Sequence, residues 1–367
     1  TNFNAFWRLE GKLTADSNPS SLNAAPIIEQ VAAIQSGEIT RIVVSTVNFV
    51  DIVAEVSDPD GNDITFDWSA TDSEIVPIDG FTNETLVFDP AGLAPGLYTA
   101  RLLVTDDDPD DPKSAHAELI INVVSEAPEL GPGDSDGDGI PDDQEGFGDS
   151  DNDALPNFQD PIDGQVDPSR NRLDFSVPEF GDITSDKGRL SLGTTAFSSG
   201  QSSFIITEDD VSDHAGSGGT PVDNGQDRLN RVNGLGHSGG GIHDWTVSGL
   251  NVGESVCVIL PQKSALPTLP IYRRYTRENG WVDFVSGVDT LASTSRIGGV
   301  CPEDPDAYDA STGLVEGDDC VRVCITDGGA NDLDTARNGS VSDPASAAGN
   351  GSVSVSYTHL RAHETSL

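Results

Sequence analysis

The 367-residue sequence has no methionine, only 19 lysines and arginines, only four cysteines and 6% aromatic residues. Without methionine, residue 1 is not an initiator, and the opening segment TNFNAFWRLEGKL lacks the basic and apolar parts of a signal peptide. We therefore expect the true start, and any export signal, to lie upstream. No apolar run approaches the roughly 20 residues that cross a bilayer, so we expect no direct membrane insertion by this fragment.

The shortage of basic residues leaves 62 acidic residues largely unopposed and gives a formal charge of -43. Such a surface repels phosphate backbones and anionic lipid, which argues against nucleic-acid binding and membrane adsorption. Self-repulsion of this size destabilises a compact chain unless counter-ions bind. Divalent cations are therefore the expected partners.

The most informative segment is 134–163, DSDGDGIPDDQEGFGDSDNDALPNFQDPID, which holds 11 acidic residues and no basic one. Its first part fits a calcium loop with a glycine at the turn, Gly139, at position 6. Alternate oxygens on a tightly turning chain converge on one point, as a hard cation requires. Positions 1, 3, 5, 7, 9 and 12 are Asp134, Asp136, Asp138, Ile140 (through its carbonyl), Asp142 and Glu145.

A second copy of the pattern begins 15 residues later. Its ligand positions are Asp149, Asp151, Asp153, Leu155, Asn157 and Asp160. Ala154 stands where the turn glycine is expected and Asp160 where a glutamate is expected, so this copy is the weaker match. Glycines and prolines on both sides exclude the paired helices of an EF-hand, so we expect the loops to stack on each other. The alternative is a disordered acidic linker.

The DxDxDGxxD repeat resembles the thrombospondin type 3 family, in which such units wrap calcium in a helix-poor ribbon. The resemblance covers about 30 residues and implies calcium as the cofactor of a linker over 126–167. An acidic cluster at Asp58, Asp60 and Asp63, and another over 106–111, lie at predicted strand ends, where they are better explained as turn residues than as metal ligands.

Segment 26–125 alternates short β-branched runs with Asp, Pro and Gly, which is typical of a sandwich. The candidate strands are ITRIVVST, VDIVAEVSD, ITFDWSA, TLVFDP, YTARLLVTD and AELIINVV. The motif DPDGND at 58–63, followed by ITFDW and then PAGLAPGLYTARLLVTD, resembles the PKD and cadherin-like immunoglobulin-like domains. Trp68 is then expected in the core, because one large aromatic fills the centre of a small sandwich. Residues 1–25 are expected to be a linker or the end of a preceding module.

Segment 168–346 again predicts strands, and the ENG turn before Trp281 predicts a hairpin. The candidate strands are RLDFSV, GRLSLGTTAF, IHDWTVSGL, SVCVILP, PIYRRYT, WVDFV and DCVRVCITD. The order VSGLNVGESVCVILP, IYRRYTRENGWVDF, GGVCPEDPDAY, GDDCVRVCITDGGANDLD resembles the choice-of-anchor U domain, found near the C-terminus of bacterial surface proteins. The resemblance implies a location and no activity. Segment 347–367 is expected to be a disordered tail, and from about residue 357 it resembles a translated sequencing adapter.

All four cysteines lie in this C-terminal segment, and four cysteines allow three pairings. Cys320 and Cys324 fall on one predicted strand, roughly 13 Å apart at ~3.3 Å per residue, which is too far for a bridge. We favour Cys301 with Cys320, closing a loop, and Cys257 with Cys324, joining neighbouring strands. Both require an oxidising compartment.

The motif Gly236-His237-Ser238-Gly239-Gly240 fits the GxSxG pattern of a serine hydrolase, with His243 and Asp244 nearby. A nucleophile elbow needs a buried strand before the serine and a helix after it. Polar RLNRVNGL precedes this serine and GGGIHDW follows it, so a surface loop is the better interpretation. We expect no catalytic residue and no enzyme activity in this chain.

The predicted fold is all-β: an immunoglobulin-like sandwich, a helix-poor calcium-loop linker and a second β-sandwich-like domain. The predicted function is a calcium-dependent, secreted or cell-surface bacterial protein that acts as an adhesin or structural spacer near a C-terminal anchor. Its expected partners are calcium ions and an extracellular protein or polysaccharide. The alternative is a non-catalytic accessory region of a secreted protease or glycosidase whose catalytic domain lies upstream.

Overall fold

The computed structural model describes residues 23–161, 172–173, 181–200, 204–207, 210–211, 241–276 and 280–349. Within these ranges the chain forms four β-sheets, which pack in pairs, and the helices are short. The all-β, helix-poor prediction is therefore confirmed. No helix in the described ranges has the length and hydropathy to cross a membrane.

The first sandwich contains eight strands in two four-stranded sheets, ordered β2-β1-β4-β6 and β3-β8-β7-β5. All neighbours are antiparallel except β3 and β8. The strands are β1 Ile27–Gln35, β2 Glu38–Ile39, β3 Ile42–Val44, β4 Val50–Ser57, β5 Ile64–Asp67, β6 Thr85–Phe88, β7 Gly96–Asp106 and β8 Ser114–Val124.

The core of the first sandwich forms because apolar residues alternate along its strands. In β4, for example, Val50, Ile52 and Ala54 are buried while Asp51 is exposed. Trp68 is completely buried among side chains of both sheets, and its indole N–H donates to the Asn83 carbonyl at 2.9 Å. The expectation that Trp68 is a core residue is confirmed.

Between the sandwiches lie α1 Asp142–Glu145 and a 3-10 turn at Asn157–Gln159. The second sandwich has sheets ordered β17-β18-β14-β10-β9 and β11-β13-β19-β15-β16, with β12 paired to β13. Its elements are β9 Arg172–Leu173, β10 Ile183–Ser185, β11 Arg189–Leu192, α2 Thr194–Ser198, β12 Ile205–Ile206, β13 Ile242–Ser248, β14 Ser255–Pro261, β15 Pro270–Thr276, β16 Gly280–Asp283, β17 Thr290–Thr294, a 3-10 turn at Pro305–Ala307, β18 Cys320–Thr326 and β19 Val341–Gly349.

Both predicted disulfides are present. Cys257 and Cys324 lie directly opposite each other on β14 and β18, with their Cα atoms 4.0 Å apart. Cys301 and Cys320 are 19 positions apart in the sequence and close a loop, with Cα atoms 5.6 Å apart. Cys320 and Cys324 occupy the two halves of one strand, as the elimination of that pairing assumed.

Three details differ from the sequence prediction. The segment GRLSLGTTAF is a strand only through Leu192, and helix α2 follows, with the Asp244 carboxylate accepting the Ala196 amide proton at 2.6 Å. Five strands of the structure, β1, β10, β12, β17 and β19, lie outside the predicted strands. Because β19 continues to Gly349 with Ala347 and Ala348 buried, ordered structure extends past residue 346, where a disordered tail was expected to follow.

The predicted hairpin is present, because β15 and β16 pair antiparallel up to Thr276 and Gly280. The two sandwiches also touch directly. Val252 of the second sandwich packs against the core of the first, and the Asn338 amide lies 3.2 Å from the His116 ring nitrogen Nε2.

Candidate metal centre

Two acidic loops follow each other between the sandwiches, loop 1 over residues 134–145 and loop 2 over residues 149–160. In each loop, carboxylate oxygens of the residues at positions 1, 3 and 5 lie within 4.8 Å of one another. Within the described residues, these are the two groups of three or more His, Cys, Asp or Glu side chains whose ligand atoms come this close. They are Asp134, Asp136 and Asp138 in loop 1, and Asp149, Asp151 and Asp153 in loop 2.

The two loops repeat the same hydrogen bonds. The position 6 amide donates to the position 1 carboxylate at 3.2 Å in loop 1 and 3.1 Å in loop 2. The position 7 amide donates to the position 5 carboxylate at 2.6 and 2.8 Å. The position 2 amide donates to the position 9 side chain at 2.8 and 2.9 Å. The 15-residue period of the sequence is therefore also a period of the structure.

The remaining ligand positions follow the same plan. A proline at position 8 precedes a short helical turn in both loops, and these turns carry the position 9 residues Asp142 and Asn157. The position 12 residues are Glu145, at the end of α1, and Asp160, directly after the second turn. Asp160 is buried and lies close enough to Asp153 to raise its pKa. The carbonyls of position 7 belong to Ile140 and Leu155.

The substitution of alanine at position 6 of loop 2 does not change the turn. Gly139 has φ 101° and Ala154 has φ 78°, so both occupy the left-handed region that the loop requires. An alanine there costs roughly 1–2 kcal/mol. The methyl group of Ala154 is buried in the core of the second sandwich, which offsets part of this cost.

The loops differ in their surroundings. Asp134 and Asp138 are exposed, whereas Asp149 and Asp153 are 2% and 6% exposed. On the side of the first sandwich, the Asp149 amide donates to the Ile39 carbonyl at 2.8 Å and the Asn152 side chain to the Val31 carbonyl at 3.1 Å. Loop 2 is therefore attached to strands of the first sandwich.

Loop 2 is also attached to the second sandwich. The Leu192 amide donates to the Asp153 carbonyl at 2.9 Å, and the Arg189 guanidinium donates to the Asp151 carbonyl at 2.8 Å. Leu155 is 1% exposed and belongs to the second hydrophobic core. The same 12-residue loop thus joins both sandwiches.

Sequence reasoning did not identify this attachment. The available signal was the pair Ala154-Leu155, which is apolar and occurs inside an otherwise acidic stretch. The matching pair in loop 1, Gly139-Ile140, is exposed.

Burial makes loop 2 electrostatically costly when no cation is bound. Burial, partly offset by Arg41, raises the pKa of Asp149 to about 7. Burial, together with the neighbouring carboxylates, raises the pKa of Asp153 well above its usual range. Arg41 lies 3.8 Å from Asp149 and is the nearby cation that sequence reasoning missed. A divalent cation would offset this repulsion, and an all-oxygen donor set at these positions fits calcium.

Other acidic clusters are used as turn caps. The Asp327 side chain accepts backbone protons from Gly253, Asn338 and Gly339, and Asp106 accepts them from Asp108 and Lys113.

The proposed hydrolase motif, residues 236–240, lies outside the described residues. Its neighbours His243 and Asp244 are buried in β13. His243 Nε2 lies 3.0 Å from the Pro261 carbonyl, and burial lowers the pKa of His243 to about 4. The Asp244 carboxylate accepts an amide proton from α2, as described above, so both side chains have structural contacts.

The fold and the site define an all-β protein of two sandwiches joined by a pair of acidic loops. Comparison of the chain with protein-family models, curated proteins and solved structures gives no match. The resemblances to PKD, thrombospondin type 3 and choice-of-anchor U domains therefore rest on the sequence motifs alone.

Proposed function

We propose that this chain is a calcium-dependent, secreted or surface-attached bacterial protein that acts as an adhesin or spacer. The observation that supports the proposal is the double attachment of loop 2. Its backbone forms hydrogen bonds with both sandwiches, and its Asn152 side chain bonds to the first. A cation bound by this loop would hold a segment that touches both modules. Calcium binding would then set the position of one module relative to the other.

Calcium binding is expected to increase the free energy of unfolding by a predictable amount. A ligand that binds only the folded state, at a free concentration ~100 times its dissociation constant, adds roughly 2.7 kcal/mol of stability. Extracellular calcium modules have dissociation constants of ~10⁻⁴ to 10⁻³ M, which suits a protein in contact with millimolar calcium. Two disulfides are compatible with an oxidising location outside the cytoplasm.

The test is a distance measurement across the joint. Ala91 and Ala310 are exposed and lie in different sandwiches, so A91C and A310C can carry spin labels. We expect a broad distance distribution in chelator and a narrow one in millimolar calcium, with magnesium at equal ionic strength producing less narrowing. A thermal melt of the same sample should shift upward with calcium in a saturable way. If calcium changed neither the distance distribution nor the melting temperature, the proposal would be refuted.

A further inference from the structure

Three consecutive residues of the first sandwich contact loop 2 or the segment that leads into it. The Ile39 carbonyl accepts the Asp149 amide proton at 2.8 Å, and the Thr40 hydroxyl donates to the Phe147 carbonyl at 3.1 Å. The third residue is Arg41, whose Nε lies 3.8 Å from the Asp149 carboxylate. The end of β2 and the start of the connection to β3 therefore place an arginine against the carboxylates of loop 2.

The Arg41 side chain also reaches the second sandwich. Its guanidinium lies 5.6 Å from the centre of the Phe197 ring, on helix α2. A cation over an aromatic face is attracted by the ring. The backbone of Arg41 is fixed to β8, because its carbonyl accepts the Asn122 amide proton at 2.7 Å. One side chain of the first sandwich thus contacts both loop 2 and the second sandwich.

Arg41 and loop 2 interact in a largely buried environment. The side chains of Arg41 and Asp149 are 17% and 2% exposed. Asp149 and Asp153 are the two carboxylates that favour the positive charge of Arg41. Charges in such surroundings interact more strongly than on the surface, and salt screens them less. Arg41 therefore supplies positive charge at the place where loop 2 concentrates negative charge.

The contact between Arg41 and Asp149 depends on charge and not on a hydrogen bond. At 3.8 Å the pair is beyond hydrogen-bond distance, and Arg41 Nε has no hydrogen-bond partner among the described residues. The Asp149 oxygens accept amide protons within the loop itself, from Asp153 at 3.0 Å and Ala154 at 3.1 Å. Removing the arginine would thus change the electrostatic potential at loop 2 and keep the hydrogen bonds that shape it.

We propose that Arg41 is a built-in counter-charge of loop 2, which holds the joint together in calcium-free solution and lowers the affinity of the loop for calcium. The proposal rests on the proposed function, because it takes loop 2 as the calcium site. A positive charge beside a carboxylate weakens its affinity for a proton by roughly one to three powers of ten. The same repulsion acts on calcium, which carries two charges. Arg41 thereby sets the calcium concentration at which the joint stiffens.

The test is a calorimetric calcium titration of R41Q, made in a D138N background so that loop 1 lacks one ligand and loop 2 dominates the binding. The parent protein is D138N. R41K, in the same background, keeps the charge and loses the planar guanidinium. The control is R273Q, because Arg273 carries the same charge, is 20% exposed and pairs with Asp283 in the second sandwich.

We expect R41Q to bind calcium at least about tenfold more tightly than the parent, because a repulsive charge is removed. R41K and R273Q should stay within about threefold of the parent. In chelator, R41Q should melt about 5 °C lower, because Asp149 loses its counter-charge. A tenfold gain in affinity corresponds to about 1.4 kcal/mol, so saturating calcium should restore much of the lost stability.

Unchanged or weaker calcium binding by R41Q overturns the proposal, because that is the result expected of an arginine that only supports the loop. Tighter binding by R41K overturns it too, since the charge is still present. If R41Q does not fold in chelator, calcium must restore its fold, and a variant that stays unfolded in saturating calcium refutes the proposal.

The outcome also separates this proposal from the proposed function. Calcium binding by the parent that R41Q leaves unaltered refutes the role of Arg41 alone. Absence of calcium binding in both proteins refutes the calcium-dependent function, and the role of Arg41 with it.

Discussion

Asp153 has three acidic neighbours in loop 2, and its own carboxylate accepts the Leu155 amide proton at 2.8 Å. Asparagine keeps that acceptor and removes the charge. In chelator, D153N should therefore stabilise the fold by about 1–3 kcal/mol, because a buried like-charge repulsion is lost. In millimolar calcium it should destabilise, because a ligand is lost. Urea unfolding at pH 7.5 in both buffers measures the change in unfolding free energy, which should be positive in chelator and negative in calcium.

The matched control is D138N, the same position in loop 1, where the side chain is exposed. Its effect in chelator should stay within about 0.5 kcal/mol, as for most surface substitutions. A D153N effect of one sign in both buffers would contradict the assignment of Asp153 as a calcium ligand.

Asp343 provides a test of pH dependence away from the loops. It is fully buried, accepts the Tyr272 hydroxyl at 2.8 Å, and its pKa is raised to about 7, chiefly by burial. Because the folded pKa lies above the unfolded value near 3.8, the stability it contributes is complete at low pH and is lost as pH rises from about 4 through 7. Each tenfold difference in proton affinity between the folded and unfolded chains corresponds to about 1.4 kcal/mol.

D343N keeps the acceptor for Tyr272 and cannot ionise. It should therefore remove the loss of stability that Asp343 causes as the pH rises. The expected result is a variant whose unfolding free energy, relative to the unchanged protein, rises by a few kcal/mol between pH 5 and pH 8. The control is D283N, because the side chain of Asp283 is 72% accessible to solvent. Its unfolding free energy, plotted against pH, should run parallel to that of the unchanged protein. Parallel curves for D343N as well would show that the proton affinity of Asp343 does not change on folding in this range.

At the scale of elements, the repeat itself supplies a matched pair. Leu155 and Ile140 occupy position 7 of loops 2 and 1, but Leu155 is 1% exposed in the second core and Ile140 is 40% exposed. L155A should cost roughly 2–5 kcal/mol, because it leaves a cavity in the core. I140A should cost less than about 0.5 kcal/mol. Chemical denaturation in chelator gives both values, and equal values would contradict the burial of loop 2.

The strands that sequence reasoning placed correctly are those whose apolar residues alternate or run continuously, such as β14 and β18. Strand β1 was missed because a register shift between Ile28 and Gln30 breaks its alternation. Strand β19, VSDPASAAG, has the composition of a turn. Its proline is tolerated because β15 pairs only from Ala345 onward, so Pro344 has a partner strand on one side alone.

The spacing of the two acidic loops could be predicted from the sequence, because the positions of their carboxylates follow a local pattern. The burial of loop 2 could not be predicted, since it depends on strands of both sandwiches that are distant in sequence. Val31, which accepts from the Asn152 side chain, is 121 residues away.

At the scale of the whole molecule, repulsion among all the charges that sum to -43 and repulsion within the two acidic loops respond differently to salt. Repulsion among exposed carboxylates is screened by simple salt, with a Debye length of ≈ 10 Å at 0.1 M and ≈ 3 Å at 1 M. Repulsion within buried loop 2 is screened much less. In chelator, the melting temperature should therefore rise as sodium chloride increases from about 0.02 to 0.5 M, without saturating at a defined stoichiometry.

Calcium should add a further, saturable increase in melting temperature at every salt concentration, because sodium screens the buried loop 2 carboxylates much less than the exposed ones. D153N should keep the sodium response of the unchanged protein and lose much of the calcium increment, which separates general screening from binding in loop 2. Calorimetric melts over a grid of both salts measure the two effects. If 0.5 M sodium chloride abolished the calcium increment, calcium would be acting as a general counter-ion, and the role of loop 2 as a cation-held joint would fail.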